Sequence, residues 1–184
     1  MTKSVIIVLA DGFEEIEAVT PMDVLRRVGL NVTIVGLAGR NVTGSHGIVF
    51  TADQSWNDVS TLTPDVLVLP GGMPGSKNLG EHAGLKAMAE RVAAAGGCLA
   101  AICAAPAFTL AAWGLLSGRR ASCFPGCETQ FPDDVKHQKD AVTVDGPVIT
   151  ARGPGAAMDF AFALVEYLLD AKTAADLKKR MQCV

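Results

Sequence analysis

Residues 4–37 read SVIIVLADGFEEIEAVTPMDVLRRVGLNVTIVGL, and this stretch decides the class of fold. Ser4 to Leu9 is apolar throughout rather than alternating, the pattern of a strand buried on both faces. Residues 15–29 follow with a helical spacing that sets Ile16, Val19, Val24, Leu25 and Val28 on one side. Pro21 should kink or distort that helix, because its ring removes a hydrogen bond, and Gly29 closes it as a C-cap. A second β-branched run, Asn31 to Leu37, completes a strand–helix–strand unit. The rhythm continues outward. Ile48 to Thr51 reads as an edge strand, and Asp65 to Leu69 as a buried strand ending in Pro70-Gly71-Gly72. Residues 83–95 form an Ala-rich helix, Cys98 to Ile102 another buried strand, and 104–116 a helix. Residues 141–151 resemble a hairpin around Asp145-Gly146, and helices over 155–169 and 172–181 finish the chain. Such alternation predicts an α/β fold with a mainly parallel sheet covered by helices on both faces. No repeat or linker divides it, so a single domain is expected over residues 1–184.

Composition agrees and removes several function classes. The chain has 184 residues, 49% hydrophobic and 19% charged, enough apolar material for a sizeable core and too much for disorder. The formal net charge of −3 lacks the basic excess of a nucleic-acid binder. No apolar run is long enough to span a membrane, and no secretory signal is visible. The five cysteines, at 98, 103, 123, 127 and 183, are odd in number and irregularly spaced. They read as free thiols of a reducing cytoplasm rather than a disulfide framework. Cys123 and Cys127 form a C-x3-C pair with His137 as a possible third ligand. No second pair completes a zinc site, so no metal and no cofactor are expected.

Ligands of parallel sheets bind beyond the carboxyl ends of the strands, so the segments leaving those ends are where chemistry belongs. In Ala100-Ala101-Ile102-Cys103-Ala104-Ala105-Pro106 a buried strand runs into a cysteine, and a helix follows at once. That is the layout of a nucleophile elbow, with small neighbours permitting the turn. A helix N-terminus beside the sulfur would favour the reactive thiolate. The plain alternative is a buried, inert cysteine. Leaving the first strand, Glu14, Glu15 and Glu17 lie within four residues. Acidic residues in a first turn are ordinary partners of the helix dipole. Glu17, however, sits among Ile16, Ala18 and Val19; meeting a thiolate there, it would have a raised pKa and could shuttle protons. Pro70-Gly71-Gly72-Met73-Pro74-Gly75 permits close backbone approach. Its N–H groups, with that of Ala104, would form an oxyanion site, unless the glycines serve only a tight turn. Gly75-Ser76-Lys77 lacks the P-loop spacing. The histidines at 46, 82 and 137 are remote from Cys103 in sequence; any of them would become its base only through folding.

Taken together, A-D-G-F-E-E-I-E (10–17), L-P-G-G (69–72), A-A-I-C-A-A-P (100–106) and A-R-G-P-G (151–155) resemble the ThiJ/PfpI superfamily. The closer likeness is to its Parkinson's-associated DJ-one branch, over essentially the whole chain. The resemblance implies a flavodoxin-like three-layer sandwich and a homodimer. It implies Cys103 as the reactive, oxidisable cysteine and Glu17 as the carboxyl contacting it. It implies Gly72 and Ala104 as the oxyanion donors beside Gly71. Arg152, Gly153 and Pro154 would lie at the pocket rim and interface, with Arg27 at that interface. Three positions depart from family patterns. Ala104 stands where protease-like members have a histidine, and Phe124-Pro125 where human-type members have His-Pro. His46 stands where many relatives have an arginine reaching across the dimer. A cysteine–glutamate pair without histidine is the simpler reading.

The function so implied is a cofactor-free glyoxalase or deglycase acting on methylglyoxal, glyoxal or their glycated adducts. The alternative is a redox-sensing, chaperone-like stress protein using the same thiol. A thiamine-pathway role ranks lower, since no thiazole or phosphate motif supports it.

Overall fold

A computed structural model describes residues 3–183. The chain runs β1 (Ser4–Leu9), α1 (Glu15–Arg27), β2 (Asn31–Gly36), β3 (Asn41–Thr43), β4 (Val49–Thr51), β5 (Gln54–Ser55), α2 (Trp56–Val59), β6 (Val66–Leu69), α3 (Gly75–Glu81), α4 (Ala83–Ala94) and β7 (Cys98–Ile102). A π-helical turn (Pro106–Ala111), β8 (Arg120–Ala121), a 3-10 turn (Cys127–Gln130), β9 (Lys136–His137), β10 (Val142–Asp145), β11 (Val148–Ala151), a second 3-10 turn (Pro154–Ala156), α5 (Ala157–Leu168) and α6 (Ala171–Arg180) follow.

Seven strands form one sheet in the order β10-β11-β7-β6-β1-β2-β5. All neighbours are parallel except the β10–β11 hairpin, where Asp145 pairs with Val148 across Gly146, as the turn signal predicts. Alternate residues of β1 divide the core. Val5, Ile7 and Leu9 face the layer of α1, α5 and α6, whereas Ile6 and Val8, with Ala10 just past the strand, face α3, α4 and the π-helical turn. A strand covered on both faces must be apolar at every position, which accounts for the unbroken run in SVIIVL. The fold is thus the flavodoxin-like sandwich. No helix among the described residues is long and apolar enough to cross a membrane.

Several local expectations are corrected. Helix α1 buries Glu17, Ala18, Pro21, Met22 and Leu25, while Ile16 and Val19 are 56% and 44% exposed. Its inner face is therefore set by the 14-17-18-21-25 stripe, not by the Ile16–Val19 side. Pro21 lies inside a helix that runs unbroken to Arg27. The run at 48–51 is not an edge of the main sheet; Val49–Thr51 pairs with Asn41–Thr43 as a separate hairpin, and β5 forms the edge. The segment after Cys103 is a six-residue π-helical turn rather than a long α-helix. Helix α3, unmarked by periodicity, packs on it.

Candidate active site

The order β7-β6-β1 places three strand ends side by side, and each leads into a loop that carries one part of the site. Cys103 follows β7. Its φ is +66°, the left-handed region that costs an ordinary residue roughly 1–2 kcal/mol. Its backbone is held on both sides: the N–H donates to the Ala151 carbonyl (2.8 Å), and its own carbonyl accepts from the Phe124 N–H (2.8 Å). The strained turn aims the side chain at the loop after β6 and at the first turn of α1.

Glu17 is fully buried in that first turn. Its Oε2 accepts the Gly71 N–H at 2.9 Å, while Oε1 is buried without a hydrogen-bond partner, and the Cys103 side chain stands close enough to act on the carboxyl. Glu14 caps the helix, its Oε2 accepting the Glu17 N–H at 2.8 Å, and its own N–H donates to the Gly71 carbonyl at 2.9 Å. Gly71 is therefore bonded in both directions and wedged. A Cβ there would lie 2.4 Å from Glu17 Oε2 and 2.5 Å from Cys103 Cβ. Gly72 has φ +89°, and a Cβ on it would stand 2.4 Å from the Glu14 nitrogen. Only glycines permit this approach. The backbone N–H groups of Gly72 and Ala104 are near enough to the Cys103 sulfur to favour its charged form.

The electrostatics follow from these contacts. Burial pushes the Glu17 carboxyl up to about 7; the neighbouring Cys103 thiol and the Gly71 N–H bond pull it down, and the nearby Glu14 charge adds to the rise. Burial, and then the neighbouring Glu17 carboxylate, push the Cys103 thiol well above its usual value, against the pull of the Gly72 and Ala104 N–H groups. Two acids in one small volume titrate as a pair; with one proton on the pair, thiol with carboxylate exchanges with thiolate and carboxylic acid, and the raised thiol favours the former. The thiol-lowering agents here are two backbone N–H groups; the short π-helical turn begins only at Pro106.

The remaining expected residues divide. Gly153 and Pro154 follow β11, whose Ala151 holds the Cys103 backbone, and Gly153 lies beneath the Phe124 ring, placing both at the edge of the thiol site. Arg152 is exposed there. Arg27 stands at the other end of α1, about 15 Å along the helix from Glu17, paired with Asp23 at 2.7 Å. Among the described residues no histidine is hydrogen-bonded to Cys103. His46 bonds Glu15 through Nδ1 at 2.8 Å, His82 caps α4 by accepting the Leu85 N–H at 3.0 Å, and the His137 ring packs edge-on against Phe131. Sequence reasoning passed over Glu14 and Glu15 as ordinary dipole partners. Both are buried, and Glu15 is a clamp that accepts the His46 N–H at 2.8 Å. Burial would raise its carboxyl, but the side-chain and backbone bonds from His46, with lesser ones, hold it down at about 2. Only an unusual run of three acids signalled this.

The model of the DJ-1/PfpI family matches residues 3–167. A Parkinson disease protein 7 homolog of Danio rerio is 39% identical over 180 residues, covering 96% of this chain and 95% of that protein. Protein DJ-1 homolog B of Arabidopsis thaliana is 38% identical over 177 residues; the alignment takes in 96% of this chain but only 40% of that longer protein. A Caenorhabditis elegans protein named glutathione-independent glyoxalase DJR-1.2 is 34% identical over 167 residues, 90% of this chain and 89% of that one. Among solved structures, oxidized Toxoplasma gondii DJ-1 superposes with a TM-score of 0.95 at 35% identity, over 98% of each chain.

Proposed function

The chain belongs to the DJ-1/PfpI family, and on that premise we propose that it is a cofactor-free, cysteine-dependent glyoxalase acting on methylglyoxal and glyoxal. The observation that carries this reading is the fully buried Glu17 carboxyl, packed with the Cys103 side chain against Gly71. A relative named as a glutathione-independent glyoxalase supports it.

The Cys103 thiolate adds to the aldehyde carbon, forming a C–S bond and moving the carbonyl electron pair onto oxygen. The N–H groups of Gly72 and Ala104 hold that oxyanion, and a proton from Glu17 converts it to a hemithioacetal. Glu17, now a carboxylate, takes the proton from the former aldehyde carbon. The resulting enediol receives a proton on the neighbouring carbon, giving a thioester of the 2-hydroxy acid. Water hydrolyses the thioester, releasing lactate or glycolate and restoring the thiol. The net change is addition of one water to the dicarbonyl, with no external oxidant or reductant. Early glycated adducts carry that aldehyde carbon as a hemiaminal; in a deglycase activity the Cys103 thiolate forms its C–S bond there as the C–N bond breaks, Glu17 protonates the departing amine, and the resulting hemithioacetal follows the same course.

The working form in this reading is a homodimer. Ile16, Val19, Ile48 and Val49 are 56%, 44%, 60% and 61% exposed, an apolar group on α1 and the neighbouring β3–β4 hairpin that a second copy would cover. Arg27, Arg152 and His46 are assigned to the interface or pocket rim by family likeness. A second reading, redox sensing by Cys103, is favoured by the same geometry. A protonated Glu17 donates to a sulfinate oxygen, and the Toxoplasma relative is described as oxidized.

The test is lactate formation from methylglyoxal without glutathione. Cys103→Ser is expected to reduce it to background, and Glu17→Gln by about 10²-fold or more. Unchanged turnover in Cys103→Ser, or no lactate from the folded wild type, overturns the enzyme reading. Peroxide-driven gain of oxygen on Cys103 alone, read by mass spectrometry, would then carry the second.

A further inference from the structure

Outside the thiol site, three segments remote in function bring metal-ligating atoms together. Cys123 lies two residues beyond β8, Glu128 in the 3-10 turn 127–130, and His137 in β9, where it pairs with Ala121 of β8. One sulfur, one carboxylate oxygen and one imidazole nitrogen from these residues all lie within 4.8 Å of one another. The C-x3-C pair of the sequence is not this set; Glu128 takes the place of Cys127, which stands close enough for its charge to act on Cys123.

We propose that Cys123, Glu128 and His137 form a binding site for a zinc-like divalent cation, with the fourth position open to water. The donor set of thiolate, carboxylate and imidazole suits a borderline-soft ion. In a tetrahedral zinc site such donors stand roughly 3.3–3.8 Å apart, so closure asks for movements of about an ångström. Two features make that movement inexpensive and directed. Neither the Cys123 thiol nor the His137 ring makes a hydrogen bond among the described residues, so neither must break one. The carboxyl of Glu128 is already oriented, its Oε2 accepting the Gly126 N–H at 2.6 Å, and the His137 ring is steadied edge-on against Phe131. The same loop borders the reactive thiol. Phe124, next to Cys123, donates its N–H to the Cys103 carbonyl at 2.8 Å and lays its ring over Gly153. A bound cation would thus pin the rim of the Cys103 site from outside it.

The test reads metal binding, not turnover, so it stands or falls separately from the proposed activity. Full-length Cys103→Ser protein, which lacks the competing thiol beside Glu17, is titrated with Co(II) under anaerobic conditions, and with Zn(II) against a chromophoric chelator. One equivalent of Co(II) with a thiolate-to-cobalt charge-transfer band is expected. Adding Cys123→Ser should abolish the band. Adding His137→Ala or Glu128→Gln should weaken zinc binding by more than about 100-fold, the upper figure for loss of a merely supporting partner. His137 and Glu128 are only partly buried, so those variants keep the test valid if Cys123→Ser fails to fold. Absence of the band, or affinity unchanged in His137→Ala and Glu128→Gln, would overturn the proposal.

Discussion

Glu17 and Cys103 are two acids confined beside each other, and their protons decide both reactivity and stability. With one proton on the pair, the mixture of thiolate with carboxylic acid and thiol with carboxylate does not change with pH. A second proton removes the thiolate. The rate constant kcat/KM is therefore expected to fall about tenfold per pH unit below about 7, where Glu17 titrates, and Glu17→Gln should move that limb away from 7. A pH profile of lactate formation measures it. Stability responds in the opposite sense. The folded pKa of Glu17, about 7, is above the unfolded 4.5, so its contribution is fully present below pH 4.5 and is lost as pH rises through 7. Above that, ionised Glu17 costs the folded state roughly 3 kcal/mol. Thermal melts should show Glu17→Gln more stable than wild type at pH 8 and similar to it near pH 4.5; a variant less stable at both would contradict the burial argument. At this scale Cys103 was legible from its place at a strand end. Glu17 stood out by its apolar neighbours, but its nearness to Cys103 did not, because no spacing rule joins positions 17 and 103.

Elements show where local pattern prevails and where packing overrides it. The buried strands and the hairpin at Asp145-Gly146 follow their apolar runs and turn residue, since period and turn chemistry are local properties. Helix α3 was illegible for the converse reason: Gly75 and Gly80 lower its intrinsic preference, and tertiary contact keeps it helical. Gly80 lies against the π-helical turn so closely that a Cβ would stand 1.9 Å from the Phe108 carbonyl oxygen, while Trp113 Nε1 donates to the Gly80 carbonyl at 2.8 Å. Gly80→Ala should therefore push the two elements apart and cost about 1–3 kcal/mol, lowering Tm by about 2–4 °C for each. Gly155→Ala, with nothing within 4 Å of its added Cβ, is the control for which calorimetry should find little change.

For the whole molecule, the testable property is the face left by α1 and the β3–β4 hairpin. Val19 and Val49 are 44% and 61% exposed, whereas Ala18, Met22 and Leu25 of α1 are buried in the core that α5 shares. Burying a charge at such a contact is expensive, so Val19→Lys combined with Val49→Lys should convert a wild-type dimer to monomer in sedimentation velocity. A wild type that sediments as a monomer at micromolar concentration would overturn the interface. Neither valine touches Cys103, so the folded monomer separates assembly from chemistry.

The sequence by itself determined the parts that depend on neighbours along the chain. Continuous apolar runs marked the doubly covered strands, glycine marked the tight loops, and the strand-to-turn junction marked Cys103. Convergence was decided only by tertiary structure. Glu17 follows β1, Gly71 follows β6 and Cys103 follows β7, and these strands are adjacent and parallel, so their carboxyl ends open on one edge. That order also explains why Ile16 turns outward: the capped first turn of α1 must direct Glu17 toward Gly71, which rotates Ile16 and Val19 to the surface. The approach of Glu128 and His137 to Cys123 has the same origin, since the pairing of β8 with β9 brings those segments together. Periodicity along a chain reports which side chains are buried; which of them meet is fixed by the order of strands and by contacts between residues far apart in sequence.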